Sequence, residues 1–591
     1  MEAVRFLRYV QTFFLVSSLC SLGLPGEVHA WRNVDAHIEI NRLALVLFSE
    51  RQKNDPLLQD VSLDGDECYG LAYDPVDGYS LTGPITSVAR KKKLASWLTD
   101  AGYSADEPEG PMAMRHFYDP TNASSPYLAD LDWVNGFLRS TIGTLAANPE
   151  ISALDWATSE GLDLGPTPHE YSFSLAKKYL KSALASSRRD NQDYGKAWRA
   201  AGETMHLVAD MGLPAHVRND GHGVGDGDPI EDSTLTETVR RYNGTNWTTS
   251  FSYEQNIAGL MHALAAYTNR NFLSKDTIPL PGKTYTANGR PAYASPDPAK
   301  LTVNSAGYLE SKIDGQTVRL ARQSTWYRWG LSKNPGYVLD PAVIADQQQI
   351  LLPTVVRASE AVLERFLPRF KAEISVVEDT PAADRYVITG RIIQTLNAEW
   401  GERLTIRNGV SVLVNDKKEE VKLYSNPDLN EFSYTVSAKP GDSFGVVYDL
   451  GGYVVAATQR SLPTNCSVFV NDTNNTFKIW NDPYKVEYYG WPPTDTNETT
   501  QGFGVISAPG TYTGSNYSSV KNIVEGDGGR TTGNFTFQLN ATGTEVLRFS
   551  GTERNIDSLG GVHEKEIAGG GLPVRFVRTI LVAEVKGEAA C

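Results

Sequence analysis

His206 and Asp210 stand four residues apart in the stretch GETMHLVADMGLPAHVRND, which runs from Gly202 to Asp220. On a helix that spacing puts both side chains on one face. Gly202 lies one turn earlier in the same stripe and leaves room for a close neighbour. His216 follows six residues after Asp210, beyond Pro214. An imidazole and a carboxylate at this spacing can hold one zinc ion, and a further imidazole can serve a neighbouring ion. The same pair can instead form a buried hydrogen bond in a helical core, so the rest of the chain must decide between the two.

The elements that must position these residues read as helices from 31 to about 270. Ile38, Leu43, Leu45 and Leu47 predict one helix, and Leu94 to Leu98 another. Leu128 to Leu145, Phe173 to Leu184 and Tyr253 to Phe272 continue the pattern at helical spacing. Trp198, Ala201, Met205 and Val208 form the apolar stripe of the helix that carries His206. Residues 273–340 turn rich in Pro, Gly, Asn and Tyr and predict an irregular insertion, with an alternating stretch at Gln316 to Leu320 that suits a hairpin. Ile344 to Leu367 returns to a helical period, with Pro353 as a point where it can kink.

From Phe370 the apolar period switches to two. Tyr386 to Thr389, Leu404 to Ile406, Val410 to Val414, Phe432 to Val436 and Phe444 to Tyr448 predict strands at short intervals, the texture of a β-sandwich. Residues 370–460 are expected as one such module and 461–591 as a second β-rich module. The expected class is therefore multi-domain: an all-α N-terminal domain over 31–369, then one or two all-β sandwich modules.

The chain has 591 residues, too many for one core. Its formal charge of −15 disfavours a polyanionic partner such as nucleic acid. Residues 1–30 resemble a secretory signal peptide, with Arg5 and Arg8 ahead of a short apolar run and Val28-His29-Ala30 as a cleavage site. The expected location is thus secreted, extracellular or periplasmic. Removal of the signal leaves Cys68, Cys466 and Cys591, of which Cys466 and Cys591 can pair in an oxidising compartment. Triplets that suit N-glycosylation occur at Asn122, Asn243, Asn246, Asn471 and Asn534.

HLVADMGLPAHVRND resembles the His-x-x-x-Asp-x-x-x-x-x-His segment of the zinc-dependent phospholipase C family, which shares its fold with the single-strand-specific fungal nucleases. The resemblance covers about residues 31 to 370. It implies an all-helical catalytic domain with three zinc ions. Family members begin at a tryptophan whose free amine and carbonyl bind zinc, with a histidine shortly after; Trp31 and His37 fit once cleavage follows Ala30. Asp106 in Ala105-Asp106-Glu107-Pro108 and His116 in His116-Phe117-Tyr118-Asp119-Pro120 resemble the next two family ligands, with Glu107 and Asp100 as alternatives to Asp106.

The resemblance then implies the ligand sets. Asp106, His116, His206 and Asp210 would hold one zinc. Trp31, His37 and Asp210 would hold a second, with Asp210 bridging. His216 would hold the third with two further residues, and here the chain departs from the family's histidine and acid four residues on. Pro229 suits a helix N1 position, which favours Asp228 with Glu231; His222 with Asp226 is the alternative. His169, His262 and His563 match nothing in the family.

The implied activity is that of a zinc metallo-phosphodiesterase. It would cleave phospholipid to diacylglycerol and a phosphorylated head group by a zinc-activated water, with Asp106 as the catalytic proton acceptor. A single-strand nuclease of the same fold is the alternative within the enzyme class. A surface adhesion protein with a structural metal site is the alternative outside it. Phospholipid or another phosphodiester is the expected partner, with peripheral membrane contact. Every ligand candidate precedes Phe370, so the β region is expected to be dispensable for small soluble phosphodiesters.

Overall fold

The computed structural model describes residues 36–53, 61–62, 65–73, 87–107, 112–129, 150–162, 169–222, 227–241, 256–286, 289–380, 385–396, 399–415, 417–420, 430–438, 442–456 and 460–461. Beyond these it describes the strands 468–471, 476–479, 485–489, 499–504, 511–520, 530–539, 545–556, 562–569, 572–577 and 579–582. The signal segment, Trp31, Asp226, Cys466, Cys591 and the helix expected at Leu128 to Leu145, apart from its first two residues, lie outside them. The content is mixed, helical in the first part and antiparallel strands in the second. No described helix is long and apolar enough to cross a membrane.

The described residues gather in two compact units. The first holds residues 1–369 together with 395–404 and 449–454. Its centre is the helix Asp193–Asp210, buried along nearly its whole length. A helix buried all round must be packed on every side. The helices Leu94–Ser104, Phe173–Ala185 and Pro341–Phe366 pack against it. Gly202 is what lets the first of these come close. A Cβ there would stand 2.5 Å from Ala101 Cβ and 2.7 Å from the Leu98 carbonyl oxygen.

The first helix, Ala36–Lys53, is tied to both of those elements by one side chain. Asn41 donates from Nδ2 to Leu98 O at 2.9 Å and to Gly202 O at 3.1 Å, all three residues buried. Gly102 allows this approach, since a Cβ on it would meet the backbone of His37 at 2.7 Å. Pro353 sits inside the helix Pro341–Phe366 without ending it.

Not all of the helical part is helical. Cys68–Tyr73 and Ser87–Lys92 form an antiparallel pair whose Gly70 lies against Gly195 of the central helix; a Cβ on Gly195 would sit 2.5 Å from Gly70 Cα. The buried Cys68 thiol is pushed up to about 12, first by burial. The expected insertion carries a small sheet. Thr302–Val303, Tyr308–Ile313 and Gln316–Arg322 form a three-stranded antiparallel sheet. Asp314 and Gly315, at φ 50° and 80°, make the tight turn that the strand twist favours.

The second unit holds 370–394, 405–448 and 455–591. Both stretches expected as modules fall in it, apart from the two segments given to the first unit. Val410–Val414 pairs antiparallel with Lys417–Glu420 and with Ser443–Asp449, and Glu431–Ser437 pairs with Arg385–Thr395. The longest sheet has nine strands and spans Val468 to Val577. Leu404 to Ile406, expected as a strand, is not one. The Ile406 amide is instead satisfied by the buried side chain of Asn430, which accepts at 3.0 Å in place of a ladder partner.

The segments 395–404 and 449–454 bear on the expectation that the region from Phe370 is dispensable for small soluble phosphodiesters, because both belong to the first unit. Trp198, fully buried on the central helix, donates its indole N–H to Gly451 O at 2.9 Å. Trp400 donates to Phe366 O at 2.9 Å, and Gly65 N donates to Gly452 O at 3.1 Å. A chain ending at Pro368 would leave the Trp198 N–H buried without an acceptor, at a cost of about 1–3 kcal/mol for that group alone. Such a truncation is expected to melt well below the full chain. Equal melting temperatures would show that these returns are not part of the first unit's core.

Candidate metal centre

The central helix delivers His206 and Asp210 to one point, as i, i+4 residues must be. Both are fully buried. His37 enters from the first helix, with its Nε2 3.3 Å from Asp210 Oδ1. Its ring stacks on that of His206 at 3.5 Å. His116 enters from the turn after Ala113–Arg115, with Nδ1 2.8 Å from Asp210 Oδ2. His216 lies on the short helix Pro214–Val217, with Nδ1 3.5 Å from Asp210 Oδ1. One carboxylate thus faces four imidazoles, counting His206 at 3.4 Å.

Asp106 follows directly on the turn that ends the helix Leu94–Ser104. Its Oδ1 is 3.4 Å from His116 Nε2 and 3.5 Å from His206 Nε2. Of its alternatives, Glu107 accepts from the Tyr73 hydroxyl at 3.1 Å, and Asp100 is an exposed partner of Lys92. Neither joins the cluster.

The third group is His216, His222 and Glu231. Glu231 Oε1 is 2.9 Å from His216 Nε2, and its Oε2 is 3.0 Å from His222 Nε2. Glu231 sits in the first turn of the helix Pro229–Ser233. Asp228, named above as a ligand, is the N-cap of that helix. Its Oδ1 accepts from Ile230 N at 2.8 Å and from Glu231 N at 3.1 Å, and its Oδ2 is buried without a hydrogen bond. The structure therefore brings His222 together with His216 and Glu231, while Asp228 keeps one buried oxygen without a hydrogen bond beside them. A capping carboxylate followed by proline at N1 is a recognisable signal, and it spends an oxygen on the backbone.

Two of the imidazoles are oriented by main chain. His206 Nδ1 is 2.9 Å from Gly102 O, and His222 Nδ1 is 3.0 Å from Asp220 O. Each bond puts the proton on Nδ1 and turns Nε2 toward the cluster, the usual arrangement of a metal-binding histidine. His169 and His262 are placed elsewhere. His169 bonds to Trp156 O at 2.7 Å against the Trp156 ring, and the exposed His262 bonds to the Tyr118 hydroxyl at 2.7 Å.

Many of the converging atoms face one another without a hydrogen bond. Both ring nitrogens of His37, His116 Nε2, His216 Nδ1, Asp106 Oδ2, Asp210 Oδ1 and Glu231 Oε1 are buried in this condition. Contacts of 3.3–3.5 Å between badly aligned lone pairs gain little. Buried polar atoms are otherwise almost always satisfied, so such a set asks for a shared partner. Among the described residues, three groups have donor atoms mutually within 4.8 Å and could hold metal ions: His37 with His206 and Asp210, Asp106 with His116 and His206, and His216 with His222 and Glu231. Imidazole and carboxylate together suit zinc.

The electrostatics agree. Burial opposes the charge on Asp210, but His206, His216 and His116 outweigh it and hold the carboxyl well below its usual range. Burial likewise opposes the charge on Asp106, yet His206 and His116 keep it low. Against burial, Asp106 and Asp210 raise His206 well above its ordinary value, and Glu231 raises His222 to about 10. His37 goes the other way, down to about 4, through burial and then the charge of His206. It is neutral at physiological pH and needs no proton removed to become a ligand.

No protein-family model matches the chain, and no curated protein matches it. Among solved structures, the alpha-toxin of Clostridium absonum is similar at 14% identity and a TM-score of 0.27, covering 74% of this chain and 100% of that chain. The alpha-toxin of an avian strain of Clostridium perfringens is similar at 10% identity and a TM-score of 0.19, covering 93% and 100%. The likeness is distant, and the reading of the site rests on its own geometry.

Metal binding must displace the protons that His206 and His222 hold at neutral pH. Zinc uptake near pH 7 is expected to release about two protons per chain, and affinity to fall as pH falls and protons compete for the same lone pairs. Calorimetric titration in two buffers of different ionisation enthalpy measures this. Zero net release would show that these histidines are not ligands.

Proposed function

We propose that this protein is a secreted zinc-dependent phosphoric ester hydrolase of the phospholipase C type, acting on a phospholipid with water as the nucleophile. The observation that supports it most is the set of buried imidazole and carboxylate atoms around Asp210 that have no hydrogen-bond partner. Three overlapping groups of candidate ligands among the described residues, with the Asp210 carboxylate at their centre, suit a cluster of up to three zinc ions. When bound, zinc lowers the pKa of a water and offsets charge that builds on the phosphoryl oxygens.

The chain's own residues supply the rest. Asp210 is held ionised and can serve two ions at once. Asp106 presents Oδ2 without a partner and is kept ionised by His206 and His116, so it can accept the proton of the attacking water. Gly102 O and Asp220 O hold two imidazoles in the ligating tautomer. Phe117 packs on His216 at 4.4 Å and keeps bulk water from that side of the group. No serine or cysteine nucleophile is needed.

Asp210→Asn is expected to do the most damage, since it removes a charge shared by several ligands. Its zinc content should drop by at least one ion, and its rate on a small chromogenic phosphodiester should fall by about a hundredfold or more, the size typical of losing an electrostatic element of a site. Wild-type zinc content and rate in this variant would refute the bridging role.

His206 has one free nitrogen, which can serve Asp106 and His116 or His37 and Asp210 but not both. With it committed to the first pair, His37 and Asp210 offer two ligands and Trp31 would complete their set. Its nitrogen is available only when Trp31 is the first residue, because an amide nitrogen is planar and has no free lone pair. A protein beginning at Trp31 should bind more zinc than one carrying uncleavable residues before it. Equal zinc content in the two would remove Trp31 from the ligand set.

A further inference from the structure

The three most exposed large apolar side chains among the described residues are Trp329, Leu331 and Trp326, at 69%, 67% and 63%. They lie within six residues of one another, on the short helix Thr325–Arg328 and the turn that follows it. The two indoles meet edge to face at 6.1 Å. Burying side chains of this size is worth on the order of 2 kcal/mol each, so leaving three in water at one place is costly unless something covers them.

The segment is built, not loose. Ser324 caps the helix by accepting from Tyr327 N. Leu331 N and Ser332 N both donate to Trp326 O, and Gly330 takes the left-handed conformation, φ 72°, that this turn needs. Ser324 N donates to Pro335 O at 2.7 Å, and Arg322 and Val338 exchange two backbone bonds of 2.9 Å. The base continues into the sheet strand Gln316–Arg322, which is fastened to the helix Pro341–Phe366 by Arg319 on Asp346 at 2.6 Å. The tip therefore satisfies much of its own backbone hydrogen bonding, a condition for entering a medium that offers none.

Its charge differs from that of the whole chain. From Gln323 to Leu339 there is no Asp or Glu, while Arg328 and Lys333 are exposed beside the indoles, in a chain of net charge −15. Two tryptophans and a leucine flanked by two cations match the boundary between acyl chains and phosphate head groups. The strong overall negative charge disfavours an anionic surface and leaves a zwitterionic one.

We propose that the tip formed by Trp326, Trp329 and Leu331 docks this protein onto the head-group boundary of a zwitterionic phospholipid bilayer. The inference stands on this surface alone and does not require the hydrolytic reading. The test is co-sedimentation of the full chain with vesicles of a phosphonate analogue of phosphatidylcholine, which keeps the head group but lacks the cleavable ester oxygen. Trp326→Ser, Trp329→Ser and Leu331→Ser together should lower partitioning by about tenfold or more, as loss of buried apolar area at an interface requires. Leu396→Ser, an exposed apolar residue elsewhere, should leave it unchanged. Trp326→Phe with Trp329→Phe should keep partitioning yet lose quenching of fluorescence by brominated acyl chains, a readout independent of any change in stability.

Absent partitioning of the parent, or equal partitioning of the serine variant, overturns the proposal. So does a variant that binds vesicles normally but no longer binds an insoluble polysaccharide, which would assign the tip to a glycan. Hydrolysis of a soluble chromogenic phosphodiester, unchanged in the tip variants, separates the two readings. Vesicle binding by a protein that cleaves nothing would keep the docking surface and discard the hydrolase.

Discussion

A carboxylate with no exposure to water stands among four imidazoles, and the first unit is arranged to keep it there. An ionised group this deep costs several kcal/mol to bury and is tolerated only when opposite charge or metal surrounds it. Asp210 has that company from four separate elements: the first helix, the turn at His116, its own helix and the short helix at His216. Each must arrive with the right nitrogen forward. Removing one partner would unbalance the charge of the others, so the cluster is cooperative in the sense of a network that must be whole or absent.

The approach of these elements is a steric matter before it is a chemical one. Three helices meet where Asn41 bonds to Leu98 O and Gly202 O. They meet so closely because Gly102 and Gly202 carry no side chain at the crossing. Gly212, at the turn after Asp210, is similarly filled by the side chain of Val355. Alanine at Gly102 or Gly202 would press on the backbone of a neighbouring helix and shift the cluster residues with it.

The sequence was legible where the relation between residues is local. His206 and Asp210 are tied by one helical turn, and the stripe of Trp198, Ala201, Met205 and Val208 made the helix plain. His37, Asp106 and His116 could be put forward only through resemblance, because nothing local relates residues so far apart. Of the third group, Glu231 stands with His216 as expected, and His222, kept with Asp226 as the alternative, stands with them. The segment after Gly221 has no period, and the spacing of Asp228 and Glu231 is satisfied equally by a ligand pair and by a cap with its first-turn acid. The pair Cys68–Tyr73 and Ser87–Lys92 was missed because the buried positions of the first strand are the small Cys68, Gly70 and Ala72, and the second is basic with no buried position, so neither shows an apolar alternation. The returns at 395–404 and 449–454 had no signal, since belonging to the first unit depends on distant partners such as Trp198.

The bond from His206 to Gly102 O bears on how the site can decay by mutation. A main-chain oxygen cannot be substituted away, so the orientation of that imidazole is protected from drift at most positions. The protection is concentrated in return on one codon. Any side chain at Gly102 would collide with the backbone of His37 while shifting the carbonyl that orients His206. A single nucleotide change there would disturb two imidazoles on two helices without altering any residue of the cluster itself. Natural variants in which the cluster is lost are therefore to be looked for at this glycine as readily as among the histidines.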